Sequence, residues 1–452
     1  MSTVEGVEEL RQVEAELNQR WPETKIEPDL SRIRLLAEFL GDPQASYPVV
    51  HVTGTNGKTS TSRMVDALFT RVGLRTGRYT SPHLQLVTER INVDNAPIPA
   101  DRYVEVYRDI EPYVALVDGR SEVPMSKFEV LTGMAFAAFA DAPVDVAVLE
   151  VGLGGQWDAT NVADGRIAVI TPIGLDHVDY LGPTLEGIAT EKAGIIKPGA
   201  VALLAEQDPV AEQVLLRRIA EVDASVARQG SEFGVLRRDV AIGGQMLRLQ
   251  GLGGVYEDVF LPLHGAHQAA NAALALASVE AFFGAGPDRQ LDVDAVREAF
   301  ATVSSPGRLE RVRSAPTVLV DAAHNPHGAQ ALAQALDEEF GFRKLVAVVG
   351  VMGDKDAEGI LAALEPVCAE VVLTANSSPR AMDPDQLASL AIPIFGEDRM
   401  VVQPHLDDAL EEAVRLAEED DDGGLVSGGG VIVTGSVVTA GEARALFGKE
   451  PS

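Results

Sequence analysis

Between Thr53 and Thr59 the chain reads TGTNGKT, preceded by the apolar run YPVVHV and followed by STSRMVDALF. A strand, a glycine-rich turn and a helix with a lysine at the turn form the context in which backbone N–H groups crowd around phosphate oxygens. Thr55, Asn56 and Gly57 would build the cradle, Lys58 would supply a point charge, and the Thr59 hydroxyl would face a magnesium ion. A solvent-exposed turn capping a helix is the plainer reading. The spacing departs from the common G-x-x-x-x-G-K-[ST], because Val52 stands at the first glycine position. A second group, Glu150, closes the apolar run VDVAVLE, and a buried carboxylate is costly unless something positive meets it. A metal ion near the phosphates would do so. His177 follows the run RIAVITPI; beside Asp176 and Asp179 a lone histidine is usually a satisfied loop residue, and its place past a strand end singles it out.

These groups need a frame. Apolar strand-like runs at YPVVHVT, 144–152, 166–173 and 200–206 alternate with helical patterns, the rhythm of a parallel sheet flanked by helices. The rhythm resumes after Pro306 in PTVLVDAAHNP, KLVAVVGVMGDKD, EVVLTAN and GVIVTGSVV, which implies a second, smaller α/β domain. Between the halves lies SSPGRLER, turn-rich and basic in an acidic protein, so residues 304–311 are expected to be a linker between domains 1–303 and 312–452. A cleft between two domains is a common place for small ligands. The biased stretch EEDDDGGLVSGGG at 418–430 is expected to be an exposed loop before the last strand.

Composition narrows the class. At 452 residues the chain can bury two or three cores, and no apolar run approaches the roughly 18 residues that cross a bilayer. The start, MSTVEGVEELRQVEAEL, is an acidic helical pattern and not a signal sequence, so a cytosolic protein with no membrane partner is expected. A net charge of −31 with no Lys/Arg stripe argues against nucleic acid, and leaves an anionic nucleotide to a few well-placed cations and metal ions. The single cysteine, Cys368, precedes EVVLTAN, where burial beside a strand is expected; one cysteine forms no internal disulfide. In VGLGGQW, Trp157 stands where a dinucleotide fingerprint needs its third glycine, which speaks against a dehydrogenase. No N-K-x-D base-reading motif supports a GTPase switch, and nothing indicates more than a monomer.

The form TGTNGKT resembles the signature of the Mur ligase superfamily. Nine further tags, in order and over essentially the whole chain, resemble folylpolyglutamate synthase and the bifunctional dihydrofolate synthase: SPHL at 81–84, ERI at 89–91, LEVGLGGQWDATN at 149–161, ITPIGLDHVDYLG at 170–182, EKAGIIKPG at 191–199, HGAHQAAN at 264–271, PGRLE at 306–310, DAAHNP at 321–326 and GVMGDKD at 350–356. The resemblance implies an ATP-dependent ligase joining L-glutamate to dihydropteroate or a reduced folate, with a phosphate-loop, parallel-sheet domain binding ATP and folate, followed by a smaller Rossmann-like domain binding glutamate.

It also implies roles. Glu150, His177 and Ser81 would join Thr59 around two Mg²⁺ ions, and Lys192 would be carbamylated to help hold the second; the alternative is a helix lysine paired with Glu191 or Glu186. A histidine ligand for Mg²⁺ needs neighbouring carboxylates. Gln268 and Asn271 would meet the adenine or ribose, Arg308 the phosphates, Asp321 the ribose, and His324 the incoming glutamate; with Lys58 and Lys192, Asp321 and His324 make the catalytic set. The pairs His264/His267 and His324/His327 have ligand spacing, yet no cysteine or third histidine joins them, so zinc is not expected. The pterin-bearing substrate would rest on Ile26, Phe128, Glu129, Trp157 and Asp158 near Ser81, Pro82 and His83, although Phe128 and Trp157 serve equally well as core aromatics. Arg380 and Ser436, beyond strand ends, suit a carboxylate, where arginine gives two parallel hydrogen bonds; a surface arginine near Asp383 is the even alternative. Two departures stand out: Ala322 replaces the glycine of D-G-A-H-N-P, a strained choice if φ must be positive, and Gln156 replaces an arginine. A peptidoglycan-precursor ligase would share the loop and metal residues, but not SPHL and ERI.

Overall fold

The computed structural model describes residues 4–21, 27–284, 286, 289–419 and 428–451. The four apolar runs of the first half become the strands β1 (Val49–Thr53), β5 (Val146–Glu150), β6 (Gly165–Ile170) and β7 (Val201–Leu204), and β2 (Thr76–Tyr79), β3 (Ile91–Val93), β4 (Ala96–Pro97) and β8 (Ser225–Arg228), which those runs did not mark, join them. Side chains alternate between the two faces of a strand, and both faces here are dry. Val50, Val52, Val146 and Val148 enter one core with the helices Lys58–Arg71 and Ala266–Phe282. Val49, Ala147 and Leu149 enter another with Ser31–Phe39, Ala100–Asp118 and Lys127–Asp141.

The spatial order is β4-β3-β2-β5-β1-β6-β7-β8, parallel from β2 through β8, with β3 and β4 as an antiparallel edge. From β1 the chain moves to β2 on one side, and later crosses to β6 on the other. The carboxyl ends of β5, β1 and β6 therefore open onto a crevice at a switch in strand order, where α/β folds bind ligands.

Three more strands with no counterpart in the sequence expectations follow: β9 (Gly234–Ala241), β10 (Gly244–Gln250) and β11 (Val255–Leu261) form a separate antiparallel sheet. Only one face is buried, through residues such as Leu247, Leu249, Tyr256 and Val259, and charge interrupts the other.

The second large sheet contains β12 (Glu310–Ser314), β13 (Thr317–Val320), β14 (Lys344–Val349), β15 (Glu370–Leu373), β16 (Met400–Val402) and β17 (Gly429–Thr434), in the order β12-β13-β17-β14-β15-β16. Only β12 runs antiparallel to its neighbour. The segment 304–311 turns through its first residues and enters β12 at Glu310. Of the acidic stretch, 420–427 lies outside the described residues. Its last residues correct the expectation of a loop: Gly429 and Gly430 are strand, pairing with Lys344 and Leu345 and with Thr317. Cys368 is 3% exposed beside β15, and burial pushes its thiol up to about 12. Among the described residues no helix is long and apolar enough to cross a membrane.

A fully buried ion pair ties β2 to the helix Lys58–Arg71. Arg78 on β2, 1% exposed, donates from Nε to Asp66 Oδ2 at 2.9 Å and from Nη2 to Asn92 Oδ1 at 2.8 Å. Removing one partner of a buried pair strands the other charge, so Arg78→Met is expected to cost about 3–5 kcal/mol. Urea unfolding of the variant against the parent measures it.

Candidate active site

The helix Lys58–Arg71 begins without a side-chain cap: its leading residue is Gly57, at φ 89°. Amide donors are thus left for a ligand. Only glycine fits there, because a Cβ would meet Asn271 Oδ1 at 2.7 Å. Lys58 Nζ folds back onto Gly54 O at 3.1 Å and Thr55 O at 3.0 Å. Burial lowers the pKa of this ammonium, against the pull of Glu150 and Asp176. Thr55 Oγ1 donates to Gly174 O at 3.0 Å, tying the loop to the chain after β6. Asn56 and Asn325 exchange amide hydrogen bonds, 3.1 Å each, between the two halves of the chain.

At the end of β5, Glu150 Oε1 accepts from Thr59 Oγ1 at 2.8 Å, while Oε2 is buried with no hydrogen-bond partner among the described residues. Burial raises the Glu150 pKa, with Lys58 and Thr59 opposing. His177 sits at φ 53°, in the left-handed region where a non-glycine residue costs of order 1 kcal/mol. Burial takes its pKa down to about 4 despite Asp176, which leaves a neutral imidazole with a lone pair.

Thr59, Ser81, Glu150 and His177 line one cavity of about 300 Å³, together with His83, Gln268, Asn271, Arg308, Asp321 and His324. Gln268 Nε2 donates to Ser60 Oγ at 3.3 Å and Asn271 Nδ2 to Gln268 Oε1 at 3.2 Å, which holds both amides at the wall. Arg308 makes no side-chain hydrogen bond or ion pair with any described residue, so its guanidinium is free for an anion. Asp321 is spent on backbone, accepting from Leu309 N and Ala323 N at 2.8 Å each. Ala322 is not among the residues with positive φ, so its replacement of glycine brings no strain. His83 Nδ1 accepts from Arg90 Nε at 3.0 Å; burial takes its pKa down to about 3.

A second cavity, about 620 Å³, is lined by Trp21, Ser81, Pro82, Phe128, Glu129, Trp157, Asp158, His177, Asp354 and Arg380, among others. Phe128 packs on the core with its ring 6.0 Å from Tyr79 and also lines the cavity. Trp157 is 45% exposed and is not a core residue. The carboxylates are already engaged: Glu129 binds Arg32 Nε at 3.0 Å and Ser126 N at 2.7 Å, and Asp158 accepts from Gly152 N and Leu153 N at 3.0 Å each. The Gly152–Gly154 turn therefore wraps a protein carboxylate, not a pyrophosphate. Ile26 lies outside the described residues. Gln156 is exposed, away from either cavity.

Between the two cavities is a chamber of about 30 Å³ bounded by Gly54, Lys58, Asp176, His177, Lys192 and His324. Lys192, 5% exposed, donates to Gly54 O at 2.8 Å and pairs with neither Glu191 nor Glu186. Burial, then the charge of Lys58, brings its pKa down to about 7. His324 Nδ1 lies 3.0 Å from Ala322 O and Nε2 3.5 Å from Asp176 Oδ2. Asp176 also accepts from Lys355 Nζ at 2.6 Å and Asn325 Nδ2 at 2.9 Å. Burial would raise this carboxyl, yet His324, His177 and Lys355 hold it well below the usual range. Asp176, Asn325 and Lys355 were not singled out from sequence, although the tags around 176, 321–326 and 350–356 contain them.

Two expected glutamate contacts sit differently. Arg380 Nη2 donates to Asp354 Oδ1 at 2.7 Å, while Asp383, the partner considered from sequence, caps the helix Pro384–Phe395. Ser436 is 2% exposed, caps the helix Val437–Leu446 through Thr439 N, and lines neither cavity. His264 is held by Glu339 at 2.8 Å.

Among the described residues no group of three or more His, Cys, Asp or Glu gathers as for a metal ion. The set at Glu150 instead fits a hard ion: one carboxylate with an unpartnered oxygen, two hydroxyls and a neutral imidazole, with positions left for phosphate and water.

A model of the Mur ligase middle domain matches residues 120–279, and one of the Mur ligase glutamate ligase domain matches 307–430. The chain is 60% identical to the dihydrofolate synthase/folylpolyglutamate synthase of Mycobacterium tuberculosis, over 99% of this chain and 96% of that one. Its structure is similar to that of Mycobacterium tuberculosis folylpolyglutamate synthase complexed with ADP, with a TM-score of 0.94, 60% identity and coverage of 99% and 100%. It is also similar to Escherichia coli FolC in complex with DHPP and ADP, with a TM-score of 0.83 and 30% identity over 97% of each chain. With likeness of this depth running from the phosphate loop to the final sheet, the chain belongs to the dihydrofolate synthase/folylpolyglutamate synthase family of Mur ligases.

Proposed function

We propose that the protein uses ATP to join L-glutamate to dihydropteroate, to the γ-carboxylate of a reduced folate, or to both, releasing ADP and phosphate. The observation that carries this reading is that Gly152 and His177 line all three spaces: the nucleotide cavity, the larger cavity and the chamber between them. A nucleotide entering from one side and an acid from the other meet there.

A carboxylate must be made electrophilic before an amine attacks it. Residues 1–303 bind ATP and the acid substrate, and 312–452 close over them about the 304–311 linker. The terminal phosphoryl group passes in line to the carboxylate, giving ADP and an acyl phosphate; such a transfer needs positioning and charge neutralisation above all. Lys58 and the uncapped amides after Gly57 hold the phosphates, and Arg308 adds its free guanidinium. Gln268 and Asn271 support the base or ribose, and Asp321 fixes the turn that brings Arg308 there. Thr59, Ser81, Glu150 and His177 would hold Mg²⁺, with Lys192 completing a second site once carbamylated, and ions so held would neutralise phosphate charge. Phe128 and Trp157 flank the pterin-bearing acid. Arg380 receives a glutamate carboxylate on the donors that Asp354 leaves free, and His324 lies beside the amine. The amine attacks the acyl carbon, phosphate leaves, and one proton is released.

Purified protein with ATP, Mg²⁺ and glutamate is expected to form ADP only when dihydropteroate or a reduced folate is added, and the more active acid identifies the physiological reaction. Turnover with a UDP-sugar acid, or with none, would sink the proposal. Lys58→Ala is expected to lower kcat about 10²–10³-fold in a folded enzyme, as loss of one stabilising donor does. Lys192→Ala is expected to inactivate, with partial return of activity when acetate supplies the missing carboxylate; no response to acetate would argue against a carbamate.

A further inference from the structure

Asp176 stands on the loop after β6, where the His177 ring lies 3.9 Å from its carboxylate, yet its closer side-chain partners come from the other large sheet. Lys355 Nζ arrives at 2.6 Å from the loop after β14, and Asn325 Nδ2 and His324 Nε2 arrive at 2.9 Å and 3.5 Å from the loop after β13. The side chains of Lys355 and Asp176 are 10% and 7% exposed, so the pair is nearly dry. Such a pair persists only while both partners are in contact, because losing one leaves a desolvated charge. Lys355 lines neither substrate cavity nor the chamber, whereas Asp176 and His324 both line the chamber. The ammonium therefore contacts the chamber wall at Asp176, and its charge is also felt by His177 and Lys58 there. Without it, the Asp176 carboxylate would lose its closest cation while facing an anionic phosphoryl group, and the loop after β14 would lose its tie to the loop after β6.

We infer that Lys355 is a positioning residue for the ligation step: its pair with Asp176 clasps the loops after β6, β13 and β14 over the chamber and keeps water off the acyl phosphate until the amine arrives. This rests on the acyl-phosphate reading above. Water admitted in place of the amine attacks the acyl carbon through its oxygen, and the carbon–oxygen bond to phosphate breaks. The acid, inorganic phosphate and a proton leave, so ATP is consumed with no amide formed.

The test compares phosphate released with amide formed, in the full-length enzyme with ATP, Mg²⁺, glutamate and the acid substrate. The parent ratio is expected to lie near one. Lys355→Met is expected to raise it about threefold or more, and Lys355→Arg, which keeps the charge, to return it to within about twofold of the parent. Lys355→Gln carries the same expectation where the methionine variant does not fold. A neutral variant that keeps the ratio near one, at any rate of turnover, overturns the clasp. A parent enzyme in which the acid substrate elicits no phosphate release overturns the acyl-phosphate reading instead.

Discussion

A desolvated carboxylate is tolerable only inside a ring of donors, and for Asp176 that ring is drawn from two sheets. The amide and ring of His177 come from its own loop; Lys355, Asn325 and His324 come from loops far along the chain. Because Asp176 adjoins His177, and His177 borders both cavities, the contact between the two halves and the chemistry between them cannot be set separately. The reciprocal amide pair of Asn56 and Asn325 extends the same seam into the phosphate loop.

On the far side of the seam the polarity is reversed. There Glu339 of the second half is the buried carboxylate, and it takes His264, the Gly265 amide and Arg238 from the first. This second contact lies next to the 304–311 segment, with which Glu339 shares a groove. The two halves are thus held near their covalent connection and again at the mouth of the chamber.

Much of the frame was legible because strands buried on both faces are nearly context-free: β1, β5, β6 and β7, and β13, β14, β15 and β17, each fall on an apolar run that sequence alone marks. The sheet of β9–β11 was not legible, since its apolar residues are interrupted along the chain by solvent-facing charges such as Arg237 and Asp239. At the site, the phosphate loop and strand-end residues carry local spacing and could be seen. The pairing of Asp176 with Lys355 spans 179 residues and leaves no local trace. Glu129 shows a subtler limit: Ser126 and Glu129 have the spacing of a capping box, so the competing use of that carboxylate was written in the sequence beside its expected place at the substrate.

The single cysteine has a practical consequence. Cys368 is shut away beside β15 with its thiol pushed up to about 12, so a negligible fraction is thiolate at neutral pH. A maleimide dye added to the folded protein would pass it by. A pair of cysteines engineered on the exposed rims of the two halves would then be the sole reactive handles, and the native background need not be removed before distances across the seam are followed by fluorescence during turnover.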